Sequence, residues 1–180
     1  MPDIAMHLLD IVYNSIRANA SLIRIFIYNS IKDDIIICRV EDNGKGMDEE
    51  TVEKVQSPFF TTRTTRDVGL GIPLFKEGAI QSEGTFSLSS KLNVGTTIEA
   101  TYKKSHLDTP AMGDIAETLV TLLQANENIE YEVEYKWDDD SFILNTVQIK
   151  ELLEGVPINS PEIILWLKEY IKEGINVWNH

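Results

Sequence analysis

The sequence predicts a protein of the mixed α/β class. Apolar residues recur at three- and four-residue spacing over residues 4–19, which indicates an amphipathic helix. Two isoleucine-rich runs follow, over residues 21–28 and 35–41, and the polar pair Asp33-Asp34 between them is typical of the turn of an antiparallel hairpin. Helical and strand-like patterns then continue along the chain.

The next elements follow in chain order. A short helix is expected over residues 48–55, because its first turn is acidic. Residues 57–68 are rich in Thr and Arg without any period, so we expect a loop. Helical spacing returns over residues 70–82, where Pro73 is compatible only with the first turn. Two further strands are predicted, over residues 85–90 and 96–102.

A boundary is expected near residues 103–110. It divides the chain into two predicted domains, residues 1–104 and residues 111–180. The second domain should begin with a helix over residues 115–125, and its last helix should begin at Ser160-Pro161-Glu162, with a serine cap, a proline and an acid in the first turn. Two strands are predicted between these helices, over residues 129–137 and 142–147. We expect a small acidic α/β unit that docks a partner or regulates the first domain.

Composition indicates an ordinary globular protein. The chain has 180 residues, of which 43% are hydrophobic and 25% are charged. No apolar run approaches the roughly 20 residues of a membrane span. The N-terminus lacks the features of a signal peptide, and the single cysteine, Cys38, excludes an intramolecular disulfide. Together these features predict a cytoplasmic location.

The charge of the chain limits its partners. A net charge of −13 argues against nucleic-acid binding, which needs a basic surface. Residues 1–110 carry 12 basic and 15 acidic side chains, whereas residues 111–180 carry 4 and 14. The nearly neutral first part is therefore the better candidate for binding an anionic ligand.

The segment Asp42-Asn43-Gly44-Lys45-Gly46-Met47 follows the second strand. The carboxylate of Asp42 is able to accept a hydrogen bond from an exocyclic amine such as that of adenine. Gly44 and Gly46 allow the backbone to adopt conformations that let a flat ring lie against it. A plain turn after a strand is the alternative, since Asp-Asn-Gly forms turns readily.

The first helix carries polar residues at helical spacing. Asp10 and Asn14 are four residues apart and therefore share a face. Asn14 offers an amide oxygen to Mg²⁺, Asp10 is placed to orient a water or hydroxyl near a terminal phosphate, and Arg17 is placed to contact phosphate oxygens. The alternative is a solvated polar face.

Two glycine motifs complete the candidate site. Gly69-Leu70-Gly71 lies where a loop enters a helix, and backbone N–H groups at a helix N-terminus bind anions. The preceding loop suits a phosphate-covering lid; its polar residues are Thr61, Thr62, Arg63, Thr64, Thr65 and Arg66. Gly95-Thr96 opens the last strand of the first domain, and the Thr96 hydroxyl is placed to join the adenine side. An ordinary loop and an ordinary strand start are the alternatives.

These four motifs, in this order, resemble those of the GHKL superfamily of Bergerat-fold ATPases. That superfamily includes gyrase B, heat-shock chaperones, histidine kinases and mismatch-repair ATPases. The resemblance covers about residues 4–103. Pro58-Phe59-Phe60-Thr61-Thr62 is similar to the motif that opens the lid of sensor kinases. With Ser105-His106-Leu107-Asp108 and residues 113–119, the chain resembles a bacterial group of stand-alone, histidine-kinase-like ATP-binding proteins.

The resemblance implies a two-layer sandwich, with a mixed sheet covered on one face by helices. It implies ATP and Mg²⁺ as cofactors, Asp42 for the adenine amine, Asn14 for the metal, and Gly69 with Gly71 for the phosphates. Asp10 matches the position of a catalytic Glu, and Asp is one methylene shorter. The remaining residues implied to bind the cofactor are Arg17, Gly44, Gly46, Met47, Phe59, Thr61, Thr62, Arg63, Leu70 and Thr96.

The same resemblance leaves two functions open. Few residues precede the first helix, so the phosphoacceptor hairpin of a complete histidine kinase is expected to be missing, and His7, His106 and His180 are not expected to replace it. The chain is then either a kinase for a protein partner, as anti-sigma-factor kinases are, or an ATP-dependent switch or slow ATPase. A protein partner is expected in both cases, and a homodimer is an option.

The predicted C-terminal domain is less informative. Trp137-Asp138-Asp139-Asp140-Ser141 offers carboxylates to a metal, although consecutive acids in a hairpin turn are more often solvated. All tryptophans of the chain lie here, at positions 137, 166 and 178. Together with the acidity they suit a protein partner, whereas core packing is the more common use of Trp.

Overall fold

The structure is a computed structural model that describes residues 2–59 and 70–176. Within these ranges the chain forms six helices and six strands. The helices are α1 (Ile4–Arg17), α2 (Glu49–Val55), α3 (Gly71–Gln81), α4 (Ile115–Ala125), α5 (Thr146–Leu153) and α6 (Pro161–Asn176). The strands are β1 (Leu22–Ser30), β2 (Ile35–Asp42), β3 (Phe86–Lys91), β4 (Gly95–Lys103), β5 (Glu130–Trp137) and β6 (Asp140–Asn145).

The described strands form one mixed sheet in the order β3-β4-β2-β1-β5-β6. Strands β1 and β2 form the predicted antiparallel hairpin, with Ile23 opposite Asp42 and Ser30 opposite Ile35. Strand β5 pairs with β1 in parallel, and the other neighbours are antiparallel. The mixed sheet and its flanking helices confirm the α/β fold class.

The two faces of the sheet have different surroundings. Residues of alternating positions, such as Ile23, Ile25 and Ile27 on β1, are buried against the helices. The opposite face carries charged side chains, and Arg24 there lies 3.1 Å from Glu41 and 2.7 Å from Glu132. Helices therefore cover one face, which confirms the two-layer sandwich.

Helix α1 packs on the sheet through an apolar stripe. It ends at Arg17, two residues earlier than expected. Ile4, Leu8 and Ile11 are completely buried. The Asp3 side chain caps the N-terminus by accepting a hydrogen bond from the Met6 N–H (2.8 Å). The helix ends at Arg17 because Asn19 has a left-handed backbone conformation, with φ of 60°.

The predictions over residues 142–147 were wrong in part. Strand β6 ends at Asn145, and α5, which the sequence pattern did not indicate, begins at Thr146. The Asn145 side chain accepts a hydrogen bond from the Gln148 N–H (3.2 Å) and so starts a helix. The β-branched pair Thr146-Val147 favoured a strand, but the asparagine cap determines the local structure.

The C-terminal region extends the same sheet. Strand β5 follows β1 from the Leu22–Glu130 pair to the Asn29–Trp137 pair. Buried residues of both regions form one hydrophobic core. The division into residues 1–104 and 111–180 stays a prediction, although strands from both parts share one sheet. Among the described residues, no helix combines the length and the apolarity required to cross a membrane.

Candidate functional site

Asp42 is the last residue of β2 and lies on the helix-covered side of the sheet. Its Oδ2 accepts a hydrogen bond from the Ser15 hydroxyl (2.6 Å), and its Oδ1 accepts one from the Gly44 N–H (2.8 Å). The two bonds fix the half-buried carboxylate between α1 and the following turn. Each carboxylate oxygen retains acceptor capacity, so Asp42 is still able to receive an amine donor.

The turn after Asp42 fits closely between its neighbours. A Cβ placed on Gly44 would lie 2.8 Å from both the Cβ and the carbonyl oxygen of Ala18. The Lys45 N–H donates to that same carbonyl oxygen (2.9 Å). Gly46 has a φ of +68°, and a Cβ there would lie 1.9 Å from the Lys91 carbonyl oxygen. Both glycines are therefore required by the close approach of backbone segments.

The beginning of α3 lies against the polar face of α1. A Cβ placed on Gly71 would be 3.3 Å from the Asp10 Cβ and 4.0 Å from the Asn14 Nδ2. The structure thus brings together Asp10, Asn14 and Gly71, which the sequence assigned to the phosphate end of the site. The Asn14 Oδ1 accepts a hydrogen bond from Arg17 Nη2 (2.5 Å). An amide oxygen has two lone pairs, so this bond leaves one free for a cation.

The Asp10 carboxyl group has a perturbed acidity. Partial desolvation of this solvent-exposed side chain raises its pKa, and His7, when protonated, and Arg17 lower it by a smaller amount. His7 lies one turn earlier and is buried, with its ring centroid 6.2 Å from that of Phe75. Desolvation lowers the pKa of His7, against the opposite effects of Asp10 and Asp3. A carboxyl group with a raised pKa is a better proton acceptor than an ordinary Asp.

Ser90 connects Thr96 and Met47 by hydrogen bonds. Thr96 pairs with Asp42 across the β2–β4 ladder. Its hydroxyl lies 2.8 Å from the Ser90 hydroxyl, and the Ser90 oxygen accepts a hydrogen bond from the Met47 N–H (2.8 Å). Gly95 has a φ of +145°, and a Cβ there would lie 1.9 Å from the Asp42 carbonyl oxygen. Asp42, Met47 and Thr96 therefore lie in one connected cluster.

Two residues of this cluster escaped sequence reasoning. Ser15 orients Asp42, and Ser90 joins Met47 to Thr96. A serine next to Asn14 on a predicted helix was a weak signal, because its partner lies 27 residues away in the chain. Ser90 had no signal, since the register of β3 against β4 is a tertiary feature.

Other predicted site residues lie apart from this cluster or outside the described residues. Phe59 is 93% exposed, close to the end of α2. Leu70 forms the N-terminal boundary of α3 without a side-chain cap and is 42% exposed. Most of the predicted lid falls outside the described residues, and so do the predicted site residues Thr61, Thr62, Arg63 and Gly69.

The acidic hairpin turn near Trp137 does not resemble a metal site. Asp138 accepts hydrogen bonds from the Ser30 hydroxyl (2.6 Å) and the Lys32 N–H (3.1 Å), and Asp139 lies 3.9 Å from Lys32 Nζ. The part of the chain that the structure describes contains no group of three or more His, Cys, Asp or Glu that would hold a metal. A Mg²⁺ ion at Asn14 would therefore depend on phosphate oxygens and water for its other ligands.

Comparison with known proteins covers the region that carries most of these residues. Residues 3–106 match the family described as histidine kinase-, DNA gyrase B- and HSP90-like ATPases. The chain is 33% identical over 95 residues to the sensor histidine kinase YvrG of Bacillus subtilis, a match that covers 51% of this chain and 16% of that protein. It is 38% identical over 66 residues to a probable C4-dicarboxylate sensor kinase of Halalkalibacterium halodurans, and this match covers 37% of this chain and 12% of that protein. The chain thus spans a small part of the length of these relatives.

Proposed function

This chain belongs to the family of histidine kinase-, DNA gyrase B- and HSP90-like ATPases, and on that basis we propose that it binds ATP with Mg²⁺ and phosphorylates or regulates a protein partner. The observation that carries the proposal is the fixed Asp42 carboxylate, with Ser15 on one oxygen and the Gly44 N–H on the other. The sensor kinases that it resembles support a role in signal transduction, and we propose a cytoplasmic location for the chain.

The adenine side of the site has three proposed parts. Asp42 accepts the adenine amine, and Thr96 supports that side through its hydroxyl. The surface against which the ring lies is formed by Gly44, Gly46 and Met47.

The phosphate side is formed by α1, the start of α3 and the lid. Asn14 supplies an oxygen to Mg²⁺, which when bound neutralises phosphate charge. Gly71 presents its backbone N–H group to the phosphates, as Gly69 is also proposed to do. Arg17 contacts phosphate oxygens. The proposed lid includes Phe59, Thr61, Thr62 and Arg63, and Leu70 is proposed to bind together with Gly69 and Gly71 where the loop enters α3.

Asp10 determines the chemistry at the phosphate end in this proposal. Its Cβ lies against Gly71, and desolvation raises its pKa. An Oδ atom of Asp10 is then placed to accept the proton of an attacking hydroxyl or water. The acceptor hydroxyl or imidazole of a partner would make the protein a kinase, whereas water would make it an ATPase.

An ATP-dependent switch with slow hydrolysis is the second candidate function. The same position of Asp10 favours it, because the shorter side chain keeps a carboxylate at the site while reducing its reach toward water. In this case the partner responds to bound nucleotide and receives no phosphate. Binding of one partner measured with ATP, with ADP and without nucleotide separates a switch from nucleotide-independent docking.

Incubation with ATP labelled at the γ-phosphate tests the kinase proposal. The protein, Mg²⁺ and candidate partners are combined, and the label is followed on protein bands and as free phosphate. We expect label on a partner, and its loss in the Asp10→Asn variant. If the label appears only as free phosphate, the kinase proposal is rejected and the ATPase proposal remains. If ATP binds but no label is released or transferred, the switch is favoured.

A further inference from the structure

The outer flank of α6 combines aromatic and acidic side chains. We name the exposed set Glu162, Trp166, Glu169, Tyr170 and Glu173 the acidic aromatic surface. Its members are separated by three or four residues in succession, apart from the adjacent pair at 169 and 170, so they line one flank of the helix. Trp166 is 50% exposed and Tyr170 is 41% exposed. Large aromatic side chains left open to solvent in this way are characteristic of interfaces.

The aromatic pair is held in a fixed arrangement. The rings of Trp166 and Tyr170 are stacked, with centroids 5.3 Å apart and planes inclined by 10°. Tyr170 also contacts Phe142 on β6, with centroids 5.5 Å apart. The opposite side of α6 is anchored in the core, where Leu167 and Ile171 are completely buried. The stack is therefore preorganised, which lowers the entropy cost of binding.

The charge on this flank has a single sign. Among the described residues, none of the three glutamates of the acidic aromatic surface forms an ion pair. The lysines of α6 have other surroundings: Lys168 lies 3.1 Å from Glu117 on α4, and Lys172, three residues after Glu169, lines a cavity together with Asp114. The flank thus offers carboxylates beside an indole face, and among the described residues none of these carboxylates forms an ion pair with a lysine of α6.

We propose that the acidic aromatic surface docks a basic segment of a protein partner, with an Arg or Lys side chain placed over the Trp166 ring. A cation over an indole face is stabilised by the quadrupole of the ring. Glu162, one turn before Trp166, and Glu169 and Glu173, one and two turns after it, pair with further basic residues of the segment. A second copy of this chain is disfavoured as the occupant, because the whole chain carries a net charge of −13 and both of its parts are net acidic.

This surface is separate from the candidate nucleotide site. Helix α6 packs on α4 and β6, at the end of the sheet order, whereas Asp42 is on β2 with β1 and β5 in between. Loss of docking and loss of ATP binding are therefore distinguishable results. The inference does not depend on the proposed function.

Titration of the full chain with a synthetic peptide of alternating Arg and Ala tests the inference. The indole N–H resonance of Trp166, assigned with a Trp166→Phe variant, is followed by NMR. We expect it to shift in a saturable manner, and we expect no shift with the matching peptide of alternating Glu and Ala. The triple variant Glu162→Gln, Glu169→Gln, Glu173→Gln should weaken binding about tenfold or more.

A charge-matched control distinguishes local recognition from general attraction. The triple variant Glu127→Gln, Glu151→Gln, Glu154→Gln removes the same charge from exposed positions of the same region and should leave the affinity nearly unchanged. Removal of residues 177–180 should also leave it unchanged. Equal weakening by both triple variants, no shift of the Trp166 resonance, or dimerisation of the chain through this flank would overturn the proposal.

Discussion

Gly46 shows how a single residue fixes the candidate site. Its φ of +68° and the nearby Lys91 carbonyl oxygen exclude a side chain. Gly155 has a φ of +93°, but a Cβ added there would meet no atom within 4 Å. A side chain at Gly155 would therefore cost only the strain of a left-handed backbone, whereas a side chain at Gly46 would cost that strain and a steric clash as well.

We predict that Gly46→Ala lowers the free energy of unfolding by about 2–4 kcal/mol, because it combines the backbone cost with overpacking against Lys91. Gly155→Ala should lower the free energy of unfolding only by the backbone cost, about 1–2 kcal/mol. Chemical denaturation of both variants measures the difference. Equal losses would mean that the turn relaxes away from Lys91 without penalty.

The pH dependence of turnover should reflect the raised pKa of Asp10. A carboxyl group that acts as a proton acceptor must be deprotonated, so the rate should fall as the pH falls through this pKa. Because desolvation raises it, the midpoint should lie above the value of about 3.9 that is typical of Asp.

The initial rate of phosphate release or transfer, measured from acidic to neutral pH, checks this prediction. Asp10→Asn should lower the rate at neutral pH by about 100-fold and remove the acidic limb. Persistence of the same acidic limb in that variant would assign the titration to a different group.

At the scale of elements, the packing of α6 shows that a C-terminal helix contributes to the core of the sandwich. Leu167 is completely buried, whereas the nearby Leu165 is 67% exposed. Leu167→Ala should destabilise the protein by about 2–5 kcal/mol through lost burial and a cavity. Leu165→Ala is the matched control and should change stability by less than about 0.5 kcal/mol. Thermal unfolding that is equally affected by both would contradict the packing of α6.

The sequence predicted most elements of the first region because their patterns are local. The β1–β2 hairpin follows from two isoleucine-rich runs on either side of Asp33-Asp34, and α1 follows from its apolar stripe. The start of α5 could not be found in this way, since Thr146-Val147 favours a strand until the Asn145 cap is seen. The roles of Ser15 and Ser90 depend on tertiary register, which no local pattern contains.

At the scale of the whole molecule, the C-terminal region completes the sheet. Strand β5 covers the edge of β1, and the carbonyl oxygens of Ala111 and Met112 accept hydrogen bonds from the first N–H groups of α1, on Ile4 and Ala5 (both 2.9 Å). These contacts link the C-terminal region to the helix that carries Asp10 and Asn14. The match to the ATPase family ends at residue 106, so this contribution was not evident from the family.

A chain shortened to residues 1–106 should therefore be less stable than the full chain. Its β1 edge is unpaired and the core against α4 and α6 is exposed to water. We expect the full chain to unfold in one cooperative transition by circular dichroism, and the shortened chain to lose that cooperativity. A shortened chain with unchanged cooperative unfolding would show that residues 1–106 are a self-sufficient domain.

Calorimetric titration of ATP into the full chain with Mg²⁺, repeated with Asp42→Asn, tests the central claim most directly. The control is Glu41→Gln, which alters the adjacent residue on the open face of the same strand, where it pairs with Arg24. We predict that the unaltered chain and the control bind ATP with similar affinity and that Asp42→Asn abolishes binding, because the carboxylate that accepts the adenine amine is lost. Unchanged affinity in Asp42→Asn would contradict the assignment of this turn to adenine.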